Sequence, residues 1–181
     1  LTLDNVNSLQ DVAIDDQTII SFKYEGVMRS ADAMCSSGID SLISNLYNAQ
    51  DAGIKGVILD LDTGGGEAAA GVKLNAALED LDMQTLVHFN TLGSAGVLSA
   101  LKANVRMAKS PMSRVGSIGS FISLNKTFIQ KYREQIMDVY ADGSEDKNGG
   151  FRELINSETT EKLKVQVTEH AELFRQAVKD S

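Results

Sequence analysis

With 181 residues, 43% of them hydrophobic, the chain is long enough to bury one good core without covalent staples. A net charge of −8 argues against nucleic acid or an anionic membrane as the main partner. The one cysteine, Cys35, excludes an internal disulfide framework and slightly favours a reducing compartment.

No stretch approaches the roughly 18 apolar residues that cross a bilayer. No signal peptide is visible either, although a missing native N-terminus would hide one. In chain order, residues 18–22 read as a strand, followed by a loop through Cys35, a thiol without an assigned role. Residues 38–52 place Ile39, Leu42, Ile43, Leu46 and Ala49 on one helical face, and Gly53 closes that helix. The apolar run over 55–61 reads as a parallel strand buried on both faces. Residues 67–82 return to helix, with Val72, Leu74, Ala77, Leu78 and Leu81 apolar. A strand over 84–90, a helix over 94–103, a short strand near Val105-Arg106-Met107 and a turn at Gly116-Ser117-Ile118-Gly119 follow. Residues 125–135 read as helix, 136–141 as strand, and 157–179 as a long amphipathic helix opened by Ser157 with Glu158 close behind. There are no repeats and no low-complexity segments. Alternating β and α elements imply crossover units in a layered α/β domain.

Two short motifs carry chemistry. The strand ending in Asp62-Thr63-Gly64-Gly65-Gly66 leaves backbone N–H groups free at a strand end, where they can stabilise a developing negative charge. Ser94, in Gly93-Ser94-Ala95-Gly96, is hemmed in by small residues and opens an apolar helical stretch, which leaves it sterically accessible to a carbonyl. An oxyanion hole and a nucleophile are one reading; a glycine-rich turn and an ordinary serine N-cap are the other. A Ser-His-Asp triad would need His88 or His170 beside Ser94, yet His88 lies on the strand leading to it and His170 on a charged C-terminal helix. The other base known for a serine is a lysine. Lys102, Lys109 and Arg114 match no motif and read as solvated surface charges.

Val57-Ile58-Leu59-Asp60-Leu61-Asp62-Thr63-Gly64-Gly65-Gly66 resembles the strand and glycine turn of the S49 peptidases. That family comprises signal peptide peptidase A and the phage capsid-assembly proteases of the lambda protein C type. Ser94-Ala95-Gly96 is similar to its nucleophile segment, and Val115-Gly116-Ser117-Ile118-Gly119 to its most distinctive short motif. Tyr140-Ala141-Asp142-Gly143-Ser144-Glu145-Asp146-Lys147 falls where the family carries its catalytic lysine. The resemblance runs from about Thr18 to the end and is closer to the phage proteases. It departs at Gly64, where the family usually has proline, and in a lysine turn about one residue longer, crowded by Glu145 and Asp146. The family's continuation beyond the C-terminal helix is missing. With no initial methionine, the chain is expected to be a piece of a longer protein.

The resemblance implies a single domain over residues 1–181 with the ClpP/crotonase-like spiral of ββα units. It implies a Ser-Lys endopeptidase with Ser94 as nucleophile, Lys147 as base, and Ser117 hydrogen-bonded to that lysine. Gly65 or Gly66, together with Ala95, would supply the oxyanion hole. Such a lysine must be neutral to act, which burial or assembly has to favour against the carboxylates of Glu145 and Asp146; these are therefore expected to face solvent. Neither metal nor cofactor is implied. The expected partners are a protein or peptide substrate and further copies of the chain in a ring, with serine and lysine of one site coming from neighbouring protomers. A phage maturation protease would act in the host cytoplasm or procapsid. The alternatives are a signal-peptide or membrane-protein peptidase whose anchor has been removed, a crotonase-like acyl-CoA enzyme, and an inert structural member of the fold. The combination of Ser94, Ser117 and Lys147 argues against the acyl-CoA enzyme.

Overall fold

A computed structural model describes residues 18–32, 37–144, 147–157 and 159–181. Cys35, Glu145, Asp146 and Glu158, on which parts of the sequence reading fall, lie outside the described residues. The chain divides into two compact units, one running up to Ile118 and including Ala177–Ser181, the other Gly119–Gln176.

The first unit is a mixed α/β structure with parallel strands. In chain order it contains β1 (Ile19–Glu25), α1 (Ile39–Asp51), β2 (Gly56–Asp62), α2 (Ala68–Asp80), β3 (Gln84–Phe89), β4 (Thr91–Gly93), α3 (Ala95–Ser99), β5 (Val105–Ala108) and β6 (Arg114–Gly116). The main sheet has the order β1-β2-β3-β5, and every pair is parallel. Beyond it the same strands continue, after a bend, into a second parallel system. Met28 bridges Gly66, Thr63 bridges Leu92, and β4 pairs with β6 in the register Thr91 to Arg114, Leu92 to Val115 and Gly93 to Gly116.

Strand β2 corrects one expectation. Its burial alternates, with Val57, Leu59 and Leu61 inside and Ile58, Asp60 and Asp62 only half-buried. One face of the sheet is therefore sealed, by Ile20, Phe22, Leu59, Leu61, Val87 and Phe89 among others, while the opposite face keeps charged groups. A run of apolar residues interrupted by aspartates is the pattern of one buried face, not two. In α1 the buried residues are Ile39, Leu42, Leu46 and Ala49, as the helical period requires. In α2 they are Ala70, Gly71, Leu74, Ala77 and Leu78, whereas Val72 is exposed. The helix expected over 94–103 is one short helix, α3, followed by turns in which Ala100 N–H donates to Val97 O and Ala103 N–H to Ala100 O.

The second unit contains α4 (Lys126–Gln135), α5 (Gly149–Ser157) and part of α6 (Glu161–Lys179). Asn125 caps α4, its side-chain oxygen accepting the Phe128 N–H at 3.0 Å. The helix expected over 157–179 forms as α6 but starts at Glu161, four residues later than expected, because Ser157 belongs to a separate first helix, α5, and α6 is the second. Ser157 ends the first, its hydroxyl donating back to Glu153 O at 2.7 Å rather than capping a new start. The Glu153 carboxylate caps the second by accepting the Lys162 N–H at 2.9 Å. The glycine at 150 lets the pair approach, since a Cβ there would sit 2.6 Å from Leu163 Cδ2. The strand expected over 136–141 does not form. Those residues pair with no strand among the described residues, and Met137 and Val139 are exposed. Alternating β-formers without a neighbouring edge have no ladder to join.

The end of α1 shows how a local rule is met. Gly53, at φ +90°, donates to Gln50 O, and Ile54 donates to Ala49 O, which is the Schellman arrangement. A Cβ at Gly53 would meet nothing, so any penalty is backbone strain alone. Gly53→Ala is expected to cost about 1 kcal/mol with an unchanged denaturant slope in urea unfolding.

Candidate active site

The strand ends of the first unit bring three segments together: residues 63–66 after β2, residues 91–95 through β4, and residues 114–117 at β6. Gly93 N–H donates to Thr63 O at 2.8 Å, Thr63 N–H to Thr91 O at 2.9 Å, and Ser94 N–H to Gly116 O at 2.8 Å. The side of residues 63–66 away from β4 is held by Met28, whose N–H donates to Gly65 O and whose carbonyl accepts the Glu67 N–H, both at 2.9 Å.

Between the first two segments, Gly65 and Gly93 leave no room for a Cβ. A Cβ on Gly65 would lie 2.6 Å from Ser94 Cβ and 3.2 Å from Ala95 N; one on Gly93 would lie 2.7 Å from Gly64 O. A Cβ on Gly71 of α2 would meet Ala95 O at 2.6 Å, and one on Gly96 would meet Thr63 Cγ2 at 2.5 Å. Gly65 also has φ +108°, which an L side chain rarely adopts. These glycines make the approach of the turn to Ser94 possible.

Ser94 stands at the N-terminus of α3 with φ 48° and ψ −119°, and its hydroxyl does not cap the helix. A non-glycine residue in that region costs on the order of 1–3 kcal/mol and persists only where its surroundings over-determine it. Here the bonds from Ser94 N–H to Gly116 O and from Leu98 N–H to Ser94 O, at 3.2 Å, do so. The ordinary N-cap reading of this serine therefore does not hold. No histidine is hydrogen-bonded to Ser94 among the described residues; His88 lies in mid-sheet opposite Asp60 and Met107, and His170 is exposed on α6.

Of the residues singled out in the sequence, Ser94, Gly65, Gly66, Ala95 and Ser117 belong to this unit and cluster at these three segments. Gly65 is against Ser94 and Ala95, whereas Gly66 is against Met28. Ser117, exposed and at φ 58°, directly follows the residue whose carbonyl accepts the Ser94 N–H. Lys147 belongs to the second unit, exposed on a turn before α5, its N–H donating to Ser144 O at 3.1 Å.

The donors expected for an oxyanion are not equivalent. Gly65 N–H is engaged, donating to the buried Thr63 Oγ1 at 3.0 Å. Gly66 N–H and Ala95 N–H make no hydrogen bond among the described residues. Glu67, following the turn, accepts the Ser30 N–H at 2.8 Å, and that bond holds its carboxyl below the usual glutamate range. Its contribution is therefore present near neutrality and is lost as pH falls through the lowered value.

Lys109 corrects the reading of a solvated lysine. Its ammonium contacts Asp60 Oδ1 and lies 3.6 Å from Asp62 Oδ2, with only 22% of the lysine side chain exposed. Lys102, by contrast, is exposed and paired with Glu79. Thr63, Asp62 and Lys109 were not legible as site residues. The one signal was a pair of aspartates in an apolar strand, since half-buried charges need partners. Among the described residues no three His, Cys, Asp or Glu side chains are placed to share a metal ion. No described helix is long and apolar enough to cross a membrane.

If Ser94 is a nucleophile, Gly65→Ala should lower its reactivity toward a fluorophosphonate on the order of 10²-fold, because the added methyl separates the turn from the serine. Gly64→Ala, with nothing within 4 Å of its Cβ, should react as the unaltered chain does. Equal labelling of the two variants would show that the close approach is not required.

No protein-family model matches the chain, and no curated protein is similar to it in sequence. Among solved structures, a mutant of 1510-N, a membrane-bound stomatin-specific protease, is similar at TM-score 0.49 and 16% identity, over 81% of this chain and 73% of that one. So slight a likeness says nothing of what this chain does.

Proposed function

We propose that the chain is a serine endopeptidase of the S49 type that uses Ser94 and Lys147, and that it matures phage proheads by cleaving scaffold or head proteins. The observation that carries the reading is Ser94 itself, strained at a helix start, with Gly65 against its Cβ and a free N–H on Ala95. The continuation of each main-sheet strand into a second parallel system supports the ClpP/crotonase-like spiral. Both compact units are read as parts of one peptidase domain.

In this mechanism Ser94 Oγ bonds to the scissile carbonyl carbon while its proton passes to the neutral Lys147 amine. The C–N bond then breaks, the same proton goes to the leaving amine, and water releases the acyl group by the reverse sequence. The oxyanion is received by Ala95 N–H and by the glycine turn. Gly66 N–H makes no hydrogen bond among the described residues, and Gly65 N–H becomes free only if the Thr63 hydroxyl yields. Ser117 would orient Lys147. The lysine comes from a neighbouring protomer, so that assembly completes the site in the host cytoplasm or procapsid.

The engaged Gly65 N–H also favours a second reading, an inert member of the fold. The two are separated by incubating the assembled chain with an unfolded protein from pH 6 to 10 and analysing products by mass spectrometry. Cleavage that rises as an amine deprotonates, and is lost by at least 10³-fold in both Ser94→Ala and Lys147→Ala, is expected for the dyad. No cleavage by the assembled chain would support the inert reading. Mixing the two inactive variants is expected to restore activity if the lysine is supplied in trans; mixtures that stay inactive would place both residues in one protomer.

A further inference from the structure

The three segments around Ser94 are joined by one charged cluster on the open face of the main sheet. Asp62 ends β2, immediately before the glycine turn. Its Oδ1 accepts the Thr91 N–H at 2.7 Å, across a separation of 29 residues, at the point where β3 gives way to β4. Its Oδ2 faces the ammonium of Lys109, which also contacts Asp60 Oδ1. Lys109 follows β5, and its own N–H donates to Phe89 O at 2.8 Å, at the end of β3. Asp60 Oδ1 is buried and has no directed hydrogen bond among the described residues, so the ionic contact with Lys109 is what meets it.

The cluster thus fastens the ends of β2, β3 and β5 to one another. Those three ends lead directly to residues 63–66, to Ser94, and through Arg114, whose N–H donates to Asn90 O at 2.7 Å, to Ser117. The bond from Asp62 to Thr91 fixes where β4 starts, and Ser94 lies only three residues further on. A carboxylate accepting a backbone N–H makes a short, strong bond, and a flanking ammonium holds the carboxylate in place.

We propose that Asp62, held by Lys109, is a positioning residue that sets the register of Ser94 against the glycine turn. This inference rests on the reading of Ser94 as a nucleophile. Asp62 does not touch substrate; it acts through Thr91. Loss of either partner should let β4 slide and open the approach, without altering whatever surface binds the peptide.

The test compares the full chain with Asp62→Ala, Asp62→Asn, Lys109→Met and Lys109→Arg, using two readouts. One is amide hydrogen exchange over residues 89–96, followed by mass spectrometry; the other is the rate of Ser94 phosphonylation, together with kcat and KM on a peptide. Asp62→Ala and Lys109→Met are expected to raise exchange at Thr91 at least tenfold. They should also lower phosphonylation and kcat on the order of 10²-fold while KM changes little. Asp62→Asn keeps an acceptor for Thr91, and Lys109→Arg keeps the charge, so both should recover most of each loss. A role limited to general stability would lower the unfolding temperature of all four variants without this pattern of rescue.

Wild-type exchange at Thr91 in Asp62→Ala would overturn the inference, as would unchanged phosphonylation. If Asp62→Ala does not fold, protection in Asp62→Asn against its loss in Lys109→Met decides the same point. A full chain that is never phosphonylated at Ser94 would defeat the nucleophile reading instead, and the exchange data would still decide whether the cluster fixes β4.

Discussion

The first unit depends on one steric constraint: residues 63–65 and helix α2 pass so close to residues 93–96 that four glycines leave no room for a Cβ. Gly65 lies against Ser94, Gly93 against Gly64, Gly71 against Ala95 and Gly96 against Thr63, each at a separation that an added methyl would violate. Because the backbones touch, Gly93 can donate to Thr63 O and Thr63 to Thr91 O, so the second parallel system is built from the same contacts. Larger residues at these positions would separate the segments and remove the pairing.

That closeness also explains the backbone of Ser94. With its N–H drawn to Gly116 and its carbonyl to Leu98, the residue has no freedom to relax into an ordinary cap conformation. Strain of this kind is stored where the surroundings supply more bonds than the strain costs. The polar groups nearby follow the same logic. Thr63 is buried and spends its hydroxyl on Gly65, and Asp62 spends its carboxylate on Thr91. Each is a backbone donor satisfied by a side chain at a place where regular pairing has broken off.

The sequence made some of this legible and hid the rest for identifiable reasons. The helical period of α1 and its closure at Gly53 depend on neighbours within a few residues, and both are as read. Residues 136–141 have the alternation of a strand but no described strand beside them, and a ladder is not a local property. Ser157 has the composition of an N-cap, yet it ends a helix, because its hydroxyl found Glu153 O within its own preceding turn. Lys109 read as surface because nothing near it in sequence is acidic; Asp60 and Asp62 reach it only across strands.

What the sequence determined by itself is the set of short-range features: the alternation of helices and strands, the glycine turn after β2, and a serine set among residues too small to shield it. These follow from torsional freedom and from side-chain period, which a chain carries wherever it goes. Only the tertiary structure decided which glycine faces Ser94, that Thr63 holds the Gly65 N–H, and that Asp62 and Lys109 tie three strand ends together. Those are contacts between residues tens of positions apart, and they exist only once parallel pairing has set the register that brings them within hydrogen-bond reach.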